Sequence, residues 1–224
     1  MIQFDSRARL TGLFVLLASP FYLNDFANIL VTDWRIWLAI DYVFVKLLPL
    51  AALCGLLVGR RLSPADLGLV WPGRGPFLVT LMAMALVGTV IDQNAYAVLA
   101  GLPGYAALGG MPAIASPAWD RFDLTVGLLL VALLEETIFR GLACAVLARY
   151  TTNRAWIALG SAAAFGLIHW SLGLHAVLIT GLIGLIFMGA YLRTRSVLPL
   201  VLAHFVVNFI DFAGVIPKAL FKWV

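Results

Sequence analysis

Leu133–Gly141 reads LLEETIFRG, inside the longer stretch LTVGLLLVALLEETIFRGLACAVLA at 124–148. Those 25 residues are long and apolar enough to cross a bilayer as a helix, yet Glu135, Glu136 and Arg140 sit near their middle. An ionisable side chain at mid-membrane costs roughly 2.5–3.5 kcal/mol on insertion scales. Glu136 and Arg140 are four residues apart with the acid first, the spacing at which a helix lets the two neutralise each other. Glu135 is rotated about 100° from Glu136 and is left over. The pair explains two charges structurally. The third calls for another explanation: a share in the ion pair, a packing contact or a chemical role.

The surroundings fix the class of protein. The 224 residues are 63% hydrophobic and only 12% charged, with a mean hydropathy of +1.01. Soluble domains are about half apolar and a quarter charged. The composition therefore gives an all-α, polytopic membrane helical bundle. Seven apolar runs, at about 10–31, 36–58, 76–100, 123–148, 154–171, 174–192 and 197–214, predict seven transmembrane helices in one integral-membrane unit over 1–224. The connection 101–122 is rich in Gly, Pro and Ala and is expected to hold a short interfacial helix or a lid. WSLGLH, containing Gly173, predicts a tight hairpin between the fifth and sixth runs. GSAAAFG at 160–166 lets a neighbouring helix come close, which puts the fifth run at the centre of the bundle.

Arginines alternate between the loops. Arg7, Arg9, Arg60, Arg61, Arg74, Arg149, Arg154, Arg193 and Arg195 fall on one side, Arg35 and Arg121 on the other. The positive-inside rule puts the N-terminus in the cytoplasm, and the membrane is expected to be the plasma (inner) membrane. Seven spans leave the C-terminus outside, against which Lys218 and Lys222 weigh. No cleavable leader is expected, since the first run continues into NDFANILV. The net charge of +4 belongs to these loops, and no basic stretch interleaved with aromatics suggests a nucleic-acid partner. Cys54 and Cys144, both in apolar runs, read as core thiols without a disulfide.

Downstream of Glu135 lie further polar groups in apolar helices. FGLIH puts Phe165 and His169 on one helical face, and HFVVN does the same for His204 and Asn208. Polar groups in lipid face the bundle interior, so these should converge there. A carboxylate and an imidazole can hold a water and take its proton. A second imidazole and an amide can donate to the oxyanion of a tetrahedral intermediate. Glu135, His169 and His204 could instead ligate zinc. Two further readings stay open: a packing network in a non-catalytic immunity or scaffold protein, and a proton relay using Glu135 with the DQN triplet Asp92–Asn94. His175, in the short loop, reads as a solvated or capping residue. One feature fits badly: His169 lies 15 residues into its run and His204 only 7 into its own. That is a depth mismatch of about 12 Å.

EETIFR, FGLIH and HFVVN, in this order, resemble the three motifs of the CPBP family (ABI, or type II CAAX prenyl endopeptidase-like, membrane proteins), E-E-x-x-x-R, F-x-x-x-H and H-x-x-x-N/D. The resemblance covers about 123–210. It implies a glutamic-type intramembrane endopeptidase that needs no cofactor and acts on a membrane-associated peptide or protein, lipidated in the best-known cases. Glu135 would be the general base and His169 its partner in activating water. His204 and Asn208 would form the oxyanion site, with Glu136, Arg140 and Phe165 supporting.

Overall fold

The computed structural model of the chain describes residues 6–99 and 101–216. Lys218 and Lys222, which bear on the side of the C-terminus, lie outside them. Among the described residues there are seven continuous helices and no strand: α1 (Arg7–Leu30), α2 (Trp34–Val58), α3 (Arg74–Leu99), α4 (117–147), α5 (Arg154–Leu172), α6 (Leu174–Thr194) and α7 (Leu198–Ala213). Five of them, α1, α2, α3, α5 and α6, are long and apolar enough to cross a membrane. α4 is long but carries the charges of the opening stretch, and α7 is shorter, at 16 residues. Together they make a helical bundle, and the protein is an integral membrane protein.

Helix starts follow local chemistry. Ser6 Oγ accepts the Arg9 N–H, Asp33 accepts those of Arg35 and Ile36, and Asn153 accepts that of Ala155, each satisfying a donor that an open helix end leaves free. α4 begins at Pro117, six residues before the expected start, because Pro117 sits in the first turn, where it loses no helical hydrogen bond. The short helix expected in 101–122 is thus the first turn and a half of α4. Residues 101–116 have no helix of their own and are tied down by Leu108 N–H to Ser171 O (2.7 Å) and Gly110 N–H to Asn28 O (3.0 Å).

α5 touches α1, α4 and α6, as its run of small residues predicts. A Cβ on Gly166 would press on the Val177 carbonyl at 2.6 Å, so α5 and α6 meet backbone to backbone. The half of the bundle nearest the N-terminus is filled with apolar side chains, among them Leu10, Leu17, Leu53, Ile138, Phe139 and Leu142. The loop between α2 and α3 folds into this end and buries Leu62 and Leu67. Gly141 makes room for it: a side chain there would collide with the Leu67 backbone.

The same loop accounts for the depth mismatch. Val197 N–H donates to Gly68 O (2.9 Å) and Ser196 Oγ to Val70 O (2.7 Å), and both Ser196 and Val197 are fully buried. The last helix therefore starts inside the protein, beneath the loop. His204 is correspondingly deeper than its position in the sequence suggests.

Candidate active site

The middle of α4 departs from regular helix. Residues 137–142 form a π-helical turn that carries Arg140, directly after Glu135 and Glu136. Single wide turns of this kind are frequent at functional sites. Arg140 Nε lies 3.2 Å from Glu136 Oε2, with both side chains completely buried. The guanidinium also covers the Phe165 ring at 3.9 Å from its centroid, with Phe187 at 5.9 Å. These ring faces stand where hydrogen-bond partners for its terminal nitrogens would otherwise be.

Glu136 serves two partners. Its Oε1 accepts from His204 Nδ1 at 2.8 Å, while Oε2 faces Arg140. The other nitrogen of the same ring, His204 Nε2, is 3.6 Å from Glu135 Oε2. His204 thus stands between the two glutamates, its ring edge-on to Phe165 and Phe187. Phe165 also packs edge-on against His169, with centroids 5.3 Å apart. One phenyl ring therefore touches both motif histidines and the motif arginine.

His169 sits where α5 tightens into a 3-10 turn, Leu167–Leu172, and its backbone is the one non-helical position in that turn (φ −107°, ψ 25°). Its Nδ1 lies 3.3 Å from Phe165 O. Gly173, at φ +99°, then turns the chain straight into α6, the hairpin expected from WSLGLH. Polar groups from α1 and α2 anchor the turn. Ser171 N–H donates to Asp25 Oδ2 (2.6 Å), Asn28 Nδ2 donates to Asp25 Oδ1 (3.1 Å) and Ser171 Oγ (3.2 Å), and Trp37 Nε1 donates to Asn28 Oδ1 (2.9 Å).

A cavity of about 470 Å³ opens beside these groups. Glu135, His169 and Asn208, from three motifs on three helices, lie on its wall. His204 does not: it is behind Glu135, reached through the carboxylate. Two positions weighed separately in the sequence also reach the cavity. His175, at the start of α6, lines it, and so does Asp92 of the DQN triplet. Gln93 bonds both Asp92 (2.8 Å) and Asp211 (3.2 Å), while Asn94 turns back to the Val90 carbonyl. The triplet is a helix contact and a piece of cavity wall at once. Cys54 and Cys144 are free thiols away from it: Cys144 is buried and accepts from Arg195 Nη1 (3.2 Å), whereas Cys54 is exposed on the outside of α2 and not in the core as expected. Among the described residues no group of three His, Cys, Asp or Glu is placed to hold a metal ion.

A second charged group on the cavity wall was not anticipated. Lys46 pairs with Asp41 in a π-helical part of α2, and Asp123 of α4 lies 3.8 Å from the same ammonium. Tyr42 donates its hydroxyl to Asp123 at 2.9 Å and lays its ring under the lysine. The signal was present: Asp41 and Lys46 are ionisable residues within an apolar run, the same anomaly that singled out Glu135.

Fold and motif order together define a class, the polytopic membrane proteins of the CAAX-processing type. Comparison with known families gives the particular one. Residues 117–210 match the family model for type II CAAX prenyl endopeptidase, Rce1-like, and this stretch holds all three motifs. No curated protein and no solved structure matches the chain.

Proposed function

We propose that the protein is an intramembrane endopeptidase in which a water activated by Glu135 and His169 hydrolyses a peptide bond of a membrane-associated substrate. The observation that carries this reading is the meeting of Glu135, His169 and Asn208 on one cavity wall, from sequence positions up to 73 residues apart. Polar side chains in lipid need partners, but partnering alone does not require them to border a space large enough for a peptide segment.

The chemistry follows from the donor set. Glu135 takes a proton from water as the oxygen attacks the carbonyl carbon, and His169 holds that water from the other side. The carbonyl π electrons move to oxygen, and the resulting oxyanion accepts a hydrogen bond from the Asn208 amide; His204, off the cavity wall, positions Glu135 and Glu136 instead of donating to the oxyanion. Collapse of the intermediate breaks the C–N bond, and the proton held by Glu135 goes to the leaving amine. No step calls for a cofactor. Glu136, Arg140 and Phe165 position the groups that react. The substrate is a membrane-attached protein or peptide, which the family's CAAX prenyl substrates make lipidated in the nearest case. The unit that acts is the whole chain, built around 123–210, in the inner membrane with the N-terminus cytoplasmic.

Glu135→Gln keeps the shape and removes the base, so turnover should fall by roughly 10²–10⁴. Exhaustive chelation should leave turnover unchanged. Activity lost on chelation and regained with zinc would replace water activation by Glu135 with metal chemistry.

A further inference from the structure

The cavity lies wholly in one half of the bundle. Its wall is made by the C-terminal halves of α1 and α7, Asp92 in the C-terminal half of α3, the N-terminal half of α2, the first part of α4 and the hairpin joining α5 to α6, with Met111 from the 101–116 segment at its rim. All of these are at the end of the bundle away from the N-terminus. From Asp123 to Glu135 the wall descends twelve residues along α4, about 18 Å at helical rise. The rim is open: Met111 is 44% and Phe212 48% exposed. The opposite half has a separate groove between the start of α3 and the end of α6, but no motif group lines it; among the described residues Leu17, Leu53, Leu134 and Ile138 fill the space beside the motif groups there, and the inserted loop with Leu62 and Leu67 is buried at that end.

Charge separates the same two ends. Nine arginines flank helices at the filled end; the open end has Arg35 and Arg121, with Arg35 beside Asp33 at 3.8 Å, and Lys218 and Lys222 follow α7 in the sequence, so the bias is nine cations against four. Such a bias, carried by short loops close to the spans, sets orientation strongly. Taken together, the filled end faces the cytoplasm and the cavity faces away from it.

We propose that the protein works from the extracytoplasmic side, on substrates whose scissile segment lies at or within the outer leaflet. This rests on the hydrolase reading above and narrows its substrate class. A lipidated tail confined to the cytoplasmic face would have to pass the filled half of the bundle to reach Glu135. A membrane-anchored peptide displayed outside would enter along the rim without crossing anything.

The test uses the full chain in intact cells, with Cys54→Ser and Cys144→Ala as background. A membrane-impermeant maleimide should label Met111→Cys without permeabilisation and Thr152→Cys, in the loop between α4 and α5, only after it. The reverse pattern overturns the proposal. A pool of single-span reporters carrying randomised juxtamembrane segments then reads the activity. Cleavage by the wild type and not by Glu135→Gln should occur with the segment presented outside, and cleavage confined to segments presented inside overturns the proposal. Outward labelling with no reporter cut on either side supports the sidedness of the cavity and counts against the hydrolase reading alone.

Discussion

Glu135 and Glu136 are neighbours in sequence and belong to different layers of the bundle. Glu136 has no exposed surface and is held by Arg140 on one oxygen and His204 on the other. Glu135 borders the cavity and has only the looser approach of His204 at 3.6 Å. The sealed layer keeps its charges paired within itself. The layer one residue away leaves a carboxylate oxygen available to whatever enters the cavity. Helical rotation alone produces this division, since successive residues face directions about 100° apart.

The comparison breaks most sharply at Arg140. Arg140→Leu strands Glu136 in the sealed layer, and breaking a buried pair from one side costs about 3–5 kcal/mol. A melting curve in detergent should show that loss, and Glu136→Gln added to Arg140→Leu should recover much of it. Next comes the open layer. Asn208→Ala should lower turnover by about 10²–10³ if the amide donates to the oxyanion, with the melting temperature little changed. A stability loss without a matching loss of turnover would move Asn208 into the packing layer.

Lys46→Met tests the intermediate case. The pair with Asp41 is buried but lies against the cavity, so its loss should cost about 2 kcal/mol, between the roughly 0–1 of exposed pairs and the 3–5 of sealed ones. The smallest effect is expected at Trp37→Phe, which removes one hydrogen bond from the anchor of the His169 turn and should cost about 1 kcal/mol in thermal unfolding.

What the sequence made legible follows the same layering. Spans of about 20 apolar residues and the four-residue spacings of Glu136–Arg140, Phe165–His169 and His204–Asn208 are local properties, and a helix turns them into geometry directly. The depth of His204 was not legible, because it depends on Ser196 and Val197 being covered by a loop more than 120 residues earlier in the chain. Gly141 carried no signal either, since its need for a missing side chain comes from the Leu67 backbone. The attachment of His204 to Glu136 was invisible for a related reason: spacing along α4 names Arg140 as the partner of Glu136 and says nothing of which helix supplies the second. Asp41 and Lys46, by contrast, are five residues apart, a spacing that a regular helix does not pair and a π-helical turn does.

The division between the two glutamates is tested most directly by Glu135→Gln, with a detergent melting curve and a cleavage assay run on the same preparation beside Arg140→Leu. The expected result is a protein at least as stable as the wild type whose turnover has fallen by roughly 10²–10⁴. Glu135→Gln destabilising the fold as much as Arg140→Leu does would place both glutamates in one structural network and contradict the separate role given to Glu135.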